Sequence, residues 1–482
     1  VSSARRPTAR RARTIHFVSL GCPKNRVDTE VMVGVAEESG HRHVADPAEA
    51  DVIVVNTCGF VDSARRESID TILELTQHRA GGRCSKLVVT GCLSQRYPEE
   101  LAAELPEVDH LLGSSDMPRL REVLAGTAPR VAVGNPADWV IRASDPRRLS
   151  TRGASAYVKI AEGCNRRCAF CVIPTLRGVQ RSRAPADVLE EVQRLAAAGV
   201  REVNLVSQDT VAYGRDREPR ADLATLVERI AEVHGIDWVR LHYLYPETLT
   251  RPLLRLLAEH PRVLPYVDMP LQHAADAMLR RMRRGHGGAR LRRLVTTLRE
   301  RVPGVVIRSA FIVGHPGETD AEFSELCDFL SWAELDRVGV FRYSDEADAP
   351  ASRLADKVPA RVAAQRARQV MALQRKISRR RMRALVGTEL DVLVEGPSEE
   401  HELVMVGRYY GQAPEIDGCV YLSGAEVRPG ELRRVRVTKA TDYDLLGEVI
   451  DDPPAHGAPA PAASPLALRS SDGRRVSLRT VT

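Results

Sequence analysis

The sequence predicts an α/β multidomain chain: an N-terminal open parallel α/β sheet, a central partial (βα)6 barrel and a small C-terminal β-barrel. Three observations predict it. From Thr14 to about Arg130, short apolar runs (TIHFVSLG, DVIVVNTC, KLVVTGC) alternate with amphipathic stretches such as Asp62 to His78, the pattern of parallel strands joined by crossover helices. From Ala156 the alternation resumes through AYVKIAEG, EVNLVS, WVRLHY, YVDMP, VVIRSAFIVG and DRVGVFRYS. Beyond Gly387 it gives way to short β-rich runs, ELDVLVEG, ELVMVG, CVYLSG, ELRRVRVTKA and DYDLLGEVI, separated by turn residues.

A chain of 482 residues has room for about three domains, each with its own core. The first fourteen residues hold five Arg and no acid, so residues 1–13 read as a disordered basic arm. Residues 14–131 form the first domain. Residues 132–151, with Gly134, Pro136, Pro146 and mixed charges but no periodicity, read as a linker. The six βα-like units of residues 152–360 fall short of an eight-fold barrel. A partial barrel follows, with its working face at the C-terminal ends of the strands. Residues 361–386 contain nine Lys or Arg and no acid, with Val370, Leu373 and Ile377 at helical spacing, which predicts a basic connecting helix. Residues 387–450 fit a five-strand barrel of the oligonucleotide-binding sort. Residues 451–482, rich in Pro, Ala and Ser, read as a disordered tail.

No run approaches the ~18 apolar residues of a membrane span, so no membrane partner and a cytoplasmic location are expected. The net charge of +6 tolerates contact with RNA or a ribosome without demonstrating it. Nine cysteines without a secretory pattern point to ligation, and an odd count argues against complete disulfide pairing.

Cys164, Cys168 and Cys171 form C-x3-C-x2-C within EGCNRRCAFCVIP, directly after the first strand of the six-unit domain. Three thiolates on one short loop suit a 4Fe-4S cube whose fourth iron stays open to chelate a substrate. A zinc loop is disfavoured because no nearby His or Cys completes four ligands. Phe170 and Pro174 are placed to shield such a cluster. Cys22, Cys58 and Cys92 each end an apolar strand of the first domain. Ligands gather outside the carboxyl ends of strands in an open parallel sheet, so these three suit a second cluster. Cys84, Cys327 and Cys419 have no such register and read as small hydrophobes.

The C-x3-C-x2-C triplet resembles the signature of the radical S-adenosylmethionine superfamily. Two three-Cys clusters followed by a small β-barrel resemble the methylthiotransferase family over about residues 14 to 450, the last domain being similar to a TRAM domain. GCPKNRVDTE (21–30), PLQHAAD (270–276), FIVGHPGET (311–319) and GRYYGQAPEIDG (407–418) resemble the branch that modifies an aspartate of small-subunit ribosomal protein S-twelve. The tRNA-modifying branch has Gln-Met-Asn where this chain has Pro23-Lys24-Asn25. His315, Val179 and the DEADAP run depart from the family pattern.

The resemblance implies two 4Fe-4S clusters on the two trios, with S-adenosylmethionine at the open iron of Cys164, Cys168 and Cys171. It implies a methyl group passed to sulfur near Cys22, Cys58 and Cys92, and a 5′-deoxyadenosyl radical that removes a β-hydrogen from the target aspartate. An electron donor protein and a sulfur donor are implied partners. For S-adenosylmethionine the candidates are Ser207, Gln208 and Asp209 after the second barrel strand, Gln272 after the fourth, Arg308 within the fifth, and Gly314 after it. Polar groups at strand ends fix hydroxyls and aminocarboxylate, Arg308 suits a carboxylate, and Gly314 admits adenine against backbone. His242, His273 and His315 carry no assigned role. Tyr409, Tyr410 and Tyr421 suit either base stacking or a barrel core, and Glu415 with Asp417 disfavours phosphate, which favours a basic protein loop as partner. The alternatives are a tRNA adenosine methylthiotransferase and, in another class, a zinc-stabilised nonenzymatic ribosome-binding protein.

Overall fold

The computed structural model describes residues 12–151, 153–246 and 249–451. The basic arm, as far as residue 11, and the tail beyond Asp451 lie outside the described residues. The chain divides into two compact units, residues 12–139 with 144–150, and residues 140–143 with 151–451.

The first unit is built on β1 (Thr14–Ser19), β2 (Arg42–His43), β3 (Val52–Thr57), β4 (Lys86–Gly91), β5 (His110–Leu112) and β6 (Val131–Ala132). They form one parallel sheet in the order β2-β1-β3-β4-β5-β6. Every residue of β3 is buried, as a parallel strand covered on both faces requires. Ile53, Val55, Leu87, Val89 and Leu111 pack one face against Ile72 and Leu75 of the helix Asp62–Ala80. The chain leaves β1 toward β2 and returns on the other side to β3, so the order reverses between β1 and β3, where an open sheet leaves a crevice beyond its strand ends.

The stretch expected as a linker has neither helix nor strand after Ala132, yet its last part is tied down. Glu30, fully buried in the helix Pro23–Glu38, accepts from Arg147 Nη2 at 2.6 Å and from the Ser150 amide at 2.8 Å. That charge-assisted pairing is what lets a carboxylate sit in the interior.

In the second unit β7 (Ser155–Lys159) is followed by a two-strand ribbon, β8 (Ala161–Glu162) with β9 (Arg181–Ser182). Then come β10 (Glu202–Val206), β11 (Trp238–Leu241), β12 (Val263–Asp268), β13 (Val306–Val313) and β14 (Arg337–Arg342). All neighbours are parallel in the order β14-β13-β12-β11-β10-β7, a six-strand open barrel wall. The helix Ala360–Arg383 buries Val370 and Ile377, and its Gln374 amide donates to the Leu335 carbonyl at 2.9 Å. β15 (Glu389–Pro397), β16 (Met405–Tyr409), β17 (Val420–Ser423), β18 (Leu432–Ala440) and β19 (Leu445–Val449) close into a small barrel ordered β15-β16-β17-β19-β18.

The segment Tyr410–Asp417 of the small barrel is built into the larger one. Tyr157 donates its hydroxyl to the Pro414 carbonyl at 3.0 Å, Arg240 reaches the Tyr410 carbonyl at 2.6 Å, and Tyr266 donates to Asp417 at 2.7 Å. Arg408 meets the Glu202 carboxylate at 2.5 Å. Ser155 and Glu202 open their strands, so this contact lies at the strands' N-terminal end, opposite the cysteine loop that follows β7. One open sequence reading is decided here and another is corrected. Tyr409 is a core residue at 4 % exposure, and Tyr410 packs beside Trp238 and Tyr266 with its hydroxyl on Gly304, so neither is free to stack on a base. Asp417 is buried beneath Tyr266 and not a surface charge that repels phosphate.

Candidate functional site

The first-unit cysteines sit where β1, β3 and β4 end. Cys22 is the N-cap of Pro23–Glu38, Cys58 follows β3, and Cys92 opens the short helix Cys92–Arg96. Two contacts draw them together. Gly21, at φ +92°, lies so close that a Cβ there would be 2.9 Å from Cys58 Cβ and 3.2 Å from its Sγ. Asn25 donates to the Leu20 carbonyl at 2.9 Å and to the Thr57 carbonyl at 3.0 Å, while Cys92 Sγ lies 4.0 Å from its Oδ1. Asn25 therefore clamps the three strand ends, which gives a fold reason for an Asn that both branches' tripeptides share. Asn25→Ala leaves two buried carbonyls without their donor and is expected to cost about 2 kcal/mol, read as a lowered urea midpoint of the first unit. A change below about 0.5 kcal/mol would remove Asn25 from this role.

The second trio occupies the loop after β8. Its backbone is pinned at three places: Cys164 N–H donates to Gly178 at 3.1 Å, Ala169 N–H to Met282 at 3.0 Å, and Ala351 N–H to Ala169 at 2.8 Å. Each sulfur has an N–H donor. The amide of Arg166 points at Cys164 Sγ (3.4 Å), that of Ile173 at Cys171 Sγ (3.5 Å), and Arg284 Nη1 lies 3.3 Å from Cys168 Sγ. Burial pushes Cys164 up to about 11, with the Asp209 carboxylate and the Cys168 thiol adding to it, and pushes Cys171 up to about 12, with the Cys168 and Cys164 thiols adding to it. Such thiols ionise when a metal takes them, and donors aimed at sulfur suit the thiolate form. Among the described residues no three His, Cys, Asp or Glu converge on a single metal-ion position. A 4Fe-4S cube asks for something different, three thiolates each on its own iron.

The S-adenosylmethionine candidates divide. Gln208 gives its amide to Glu162, and Asp209 holds Arg166 at 2.6 Å through Oδ2; the buried Gln208 Oε1 and Asp209 Oδ1 have no partner among the described residues. Two unused acceptors beside the cysteine loop fit a ligand rich in donors, such as an ammonium and ribose hydroxyls. Gln272, at φ +71°, is stitched to β13 through Ala310 and Ile312, with its side chain half-buried. The Ser207 hydroxyl is fully buried against that of Thr210 at 3.2 Å. Arg308 is engaged by Asp268 at 2.9 Å and lies 3.9 Å from Asp417. At Gly314, φ +77°, a Cβ would meet Ala363 Cβ at 2.4 Å, so the packing of the helix Ala360–Arg383 already requires a glycine there.

His242 is buried between Asn204 and Asp268, and His273 lies on Glu318 at 3.1 Å, both as structural groups. Phe170 packs with Met278 and Met282 beside the loop. Cys84 is core, Cys419 is buried near Asp444, and Cys327 is half-buried on the helix Asp320–Ala333. Sequence reasoning passed over Glu162, Arg166, Tyr245 and Arg284. Burial opposes the Glu162 carboxylate, but Lys159 and Arg177 outweigh it and hold it below the usual range, a fixed anion two residues before Cys164. Glu162 and Arg166 stood inside the quoted EGCNRRCAFC motif; nothing local marked Tyr245 or Arg284.

Three family models match this chain: Uncharacterized protein family UPF0004 over residues 14–113, the Radical SAM superfamily over 158–330 and the TRAM domain over 386–450. The chain is 66% identical to ribosomal protein uS12 methylthiotransferase RimO of Sorangium cellulosum, covering 98% of each chain. The protein of the same name from Anaeromyxobacter sp. strain K is 47% identical over 96% of this chain and 99% of its own. Among solved structures, the radical S-adenosylmethionine methyltransferase TsrM of Kitasatospora setae is similar over 68% of this chain and 73% of that one, at 18% identity and a TM-score of 0.49.

Proposed function

The chain belongs to the ribosomal protein uS12 methylthiotransferase family of radical S-adenosylmethionine enzymes, and we propose that it places a methylthio group on the β-carbon of an aspartate in that ribosomal protein. The observation that carries this reading is the identity of 66% across 98% of both chains. All six cysteines of the two trios stand at strand ends or on the loop after β8, which supports assigning them as the cluster ligands. Cys164, Cys168 and Cys171 would hold one 4Fe-4S cluster, and Cys22, Cys58 and Cys92 the other. When bound, the clusters supply an electron for cleavage of S-adenosylmethionine and a place to carry sulfur.

The remaining work falls to this chain's own groups. Gln208 Oε1 and Asp209 Oδ1 accept from the bound cofactor, and Arg166 fixes Asp209 so that its free oxygen keeps its direction. Cys164 and Cys168, each 8 % exposed, keep water from the loop and with it the quenching of a radical. An electron donor protein and a sulfur donor complete the reaction. No helix among the described residues is long and apolar enough to cross a membrane, and a ribosomal substrate supports a cytoplasmic location.

Anaerobic incubation of the reconstituted enzyme with its reductant, S-adenosylmethionine, sulfide and the ribosomal protein should add one methylthio group to an aspartate, read by peptide mass spectrometry. A mark on tRNA nucleosides, with none on the protein, would overturn the substrate. Cys58→Ala is expected to lose that product, to below ~1% of wild type, while still cleaving S-adenosylmethionine, because the barrel trio is intact. Full product from Cys58→Ala would dismiss the first-unit trio.

A further inference from the structure

Among the described residues, Arg284 is a buried cation with no carboxylate partner. It is 3 % exposed, and its recorded partners are Cys168 Sγ at 3.3 Å through Nη1, the Pro270 carbonyl at 2.7 Å through Nη2, and the Tyr245 ring, whose centroid is 4.2 Å from its Cζ. Its Nε has no partner among the described residues. Tyr245 is held in turn by its hydroxyl on the Arg284 carbonyl and by Arg166, whose Cζ lies 3.7 Å from the same ring. Arg166 differs from Arg284 in having an acid, Asp209, for its charge. Taking a guanidinium out of water without an anion costs several kcal/mol. The other buried arginines here answer that cost with carboxylates: Arg183 with Asp187 and Glu191, Arg366 with Glu318, Arg408 with Glu202. For Arg284 the group in that place is a sulfur.

We propose that Arg284 is a positioning residue for the barrel cluster, donating an N–H···S hydrogen bond to the Cys168 thiolate and raising the reduction potential of the iron it ligates. This rests on the three-thiolate reading of Cys164, Cys168 and Cys171. The physical argument is one of charge. A low-potential one-electron reductant adds one negative charge to the cube, and a fixed cation beside one ligand favours the more negative state, more strongly where water is excluded. Pro270 and Tyr245 hold the guanidinium in place, so the donor is aimed before the electron arrives. Unlike the backbone amides that serve Cys164 and Cys171, this donor carries a full charge, which makes Cys168 the ligand through which the protein sets the potential.

The test is a redox titration followed by electron paramagnetic resonance. It uses the full chain carrying Cys22→Ala, Cys58→Ala and Cys92→Ala, so that one centre titrates, with and without Arg284→Gln. Both proteins should hold about four irons. Arg284→Gln should lower the reduced-to-oxidised ratio at a fixed potential about tenfold, a midpoint about 59 mV more negative. Full iron with an unchanged midpoint overturns the proposal. Should Arg284→Gln lose iron, Arg284→Met carries the test, because it removes the charge and the N–H donor while keeping an unbranched apolar stem in the buried slot. A lowered midpoint then supports the proposal, and an unchanged one, or loss of iron again, overturns it. A background protein without iron would instead reject the three-thiolate reading, and the proposal would fall with it.

Discussion

Cys168→Ala is expected to end methylthio transfer, to below ~1% of the wild-type rate, with iron per chain falling from about eight to about four. The fold should survive. The loop is held by backbone bonds that an alanine keeps: the Cys171 amide on the residue-168 carbonyl at 3.2 Å, and the Ala169 amide on Met282 at 3.0 Å. What disappears is one of three sulfurs and the partner of Arg284 Nη1 at 3.3 Å. The orphaned buried donor costs about 1–3 kcal/mol, a lowered melting temperature within a cooperative transition. Far-ultraviolet circular dichroism that overlays the wild type, iron analysis and product mass spectrometry read the three parts separately. Retained turnover would mean that Cys168 is not a cluster ligand. Retained iron with lost turnover would mean that it acts otherwise than by holding metal.

The strands that place these cysteines were legible because parallel strands buried on both faces are written as unbroken apolar runs. VIVVNT is wholly buried and KLVVTG is buried from Leu87 onward, and the apolar centre of each stands out from its flanks. The two-residue strands β2 and β6 were not, since Arg42–His43 and Val131–Ala132 pair at the sheet edges without any apolar run of their own. The barrel cysteines were legible through local spacing. The clamp on the other trio was not, because Asn25 reads as one polar residue in a helix until Leu20 and Thr57 arrive beside it. The greatest error came from charge. GRYYGQAPEIDG reads as a polar, aromatic surface, but Arg408 of this run is fully buried on Glu202, 206 residues away, and Asp417 sits under Tyr266. No window of sequence contains both partners of such a pair. The same blindness hid Asp268 of the neighbouring strand, which holds Arg308 at 2.9 Å.

Glu202→Gln is expected to destabilise the second unit by about 3 kcal/mol at neutral pH, and the size follows from its surroundings. The carboxylate is fully buried at the start of β10, where Arg408 meets it at 2.5 Å, Arg240 at 2.9 Å and the Ser155 hydroxyl donates at 2.6 Å. Burial works against its charge, but Arg408 and Arg240 outweigh burial and hold it at about 2, against an ordinary 4.5. A folded value below the unfolded one means that ionised Glu202 favours the folded state. That contribution is complete above pH 4.5 and is lost as the pH falls toward about 2. At about 1.4 kcal/mol per pH unit the interval gives the figure quoted, in line with the cost of leaving a buried guanidinium unpaired. Glutamine keeps the volume and the hydrogen bond from Ser155 but gives two buried cations no counter-charge. Urea unfolding should therefore show a gap of about 3 kcal/mol between wild type and variant at pH 7, narrowing steadily below pH 4.5. Trp238, which packs with Tyr266, Leu393 and Ala413 where the two barrels meet, is placed to report it. Comparing the two proteins at each pH cancels every other titrating group. A gap under about 1 kcal/mol, or one that stays constant into acid, would mean that Arg408 and Arg240 do not depend on this carboxylate to join the small barrel to the large one.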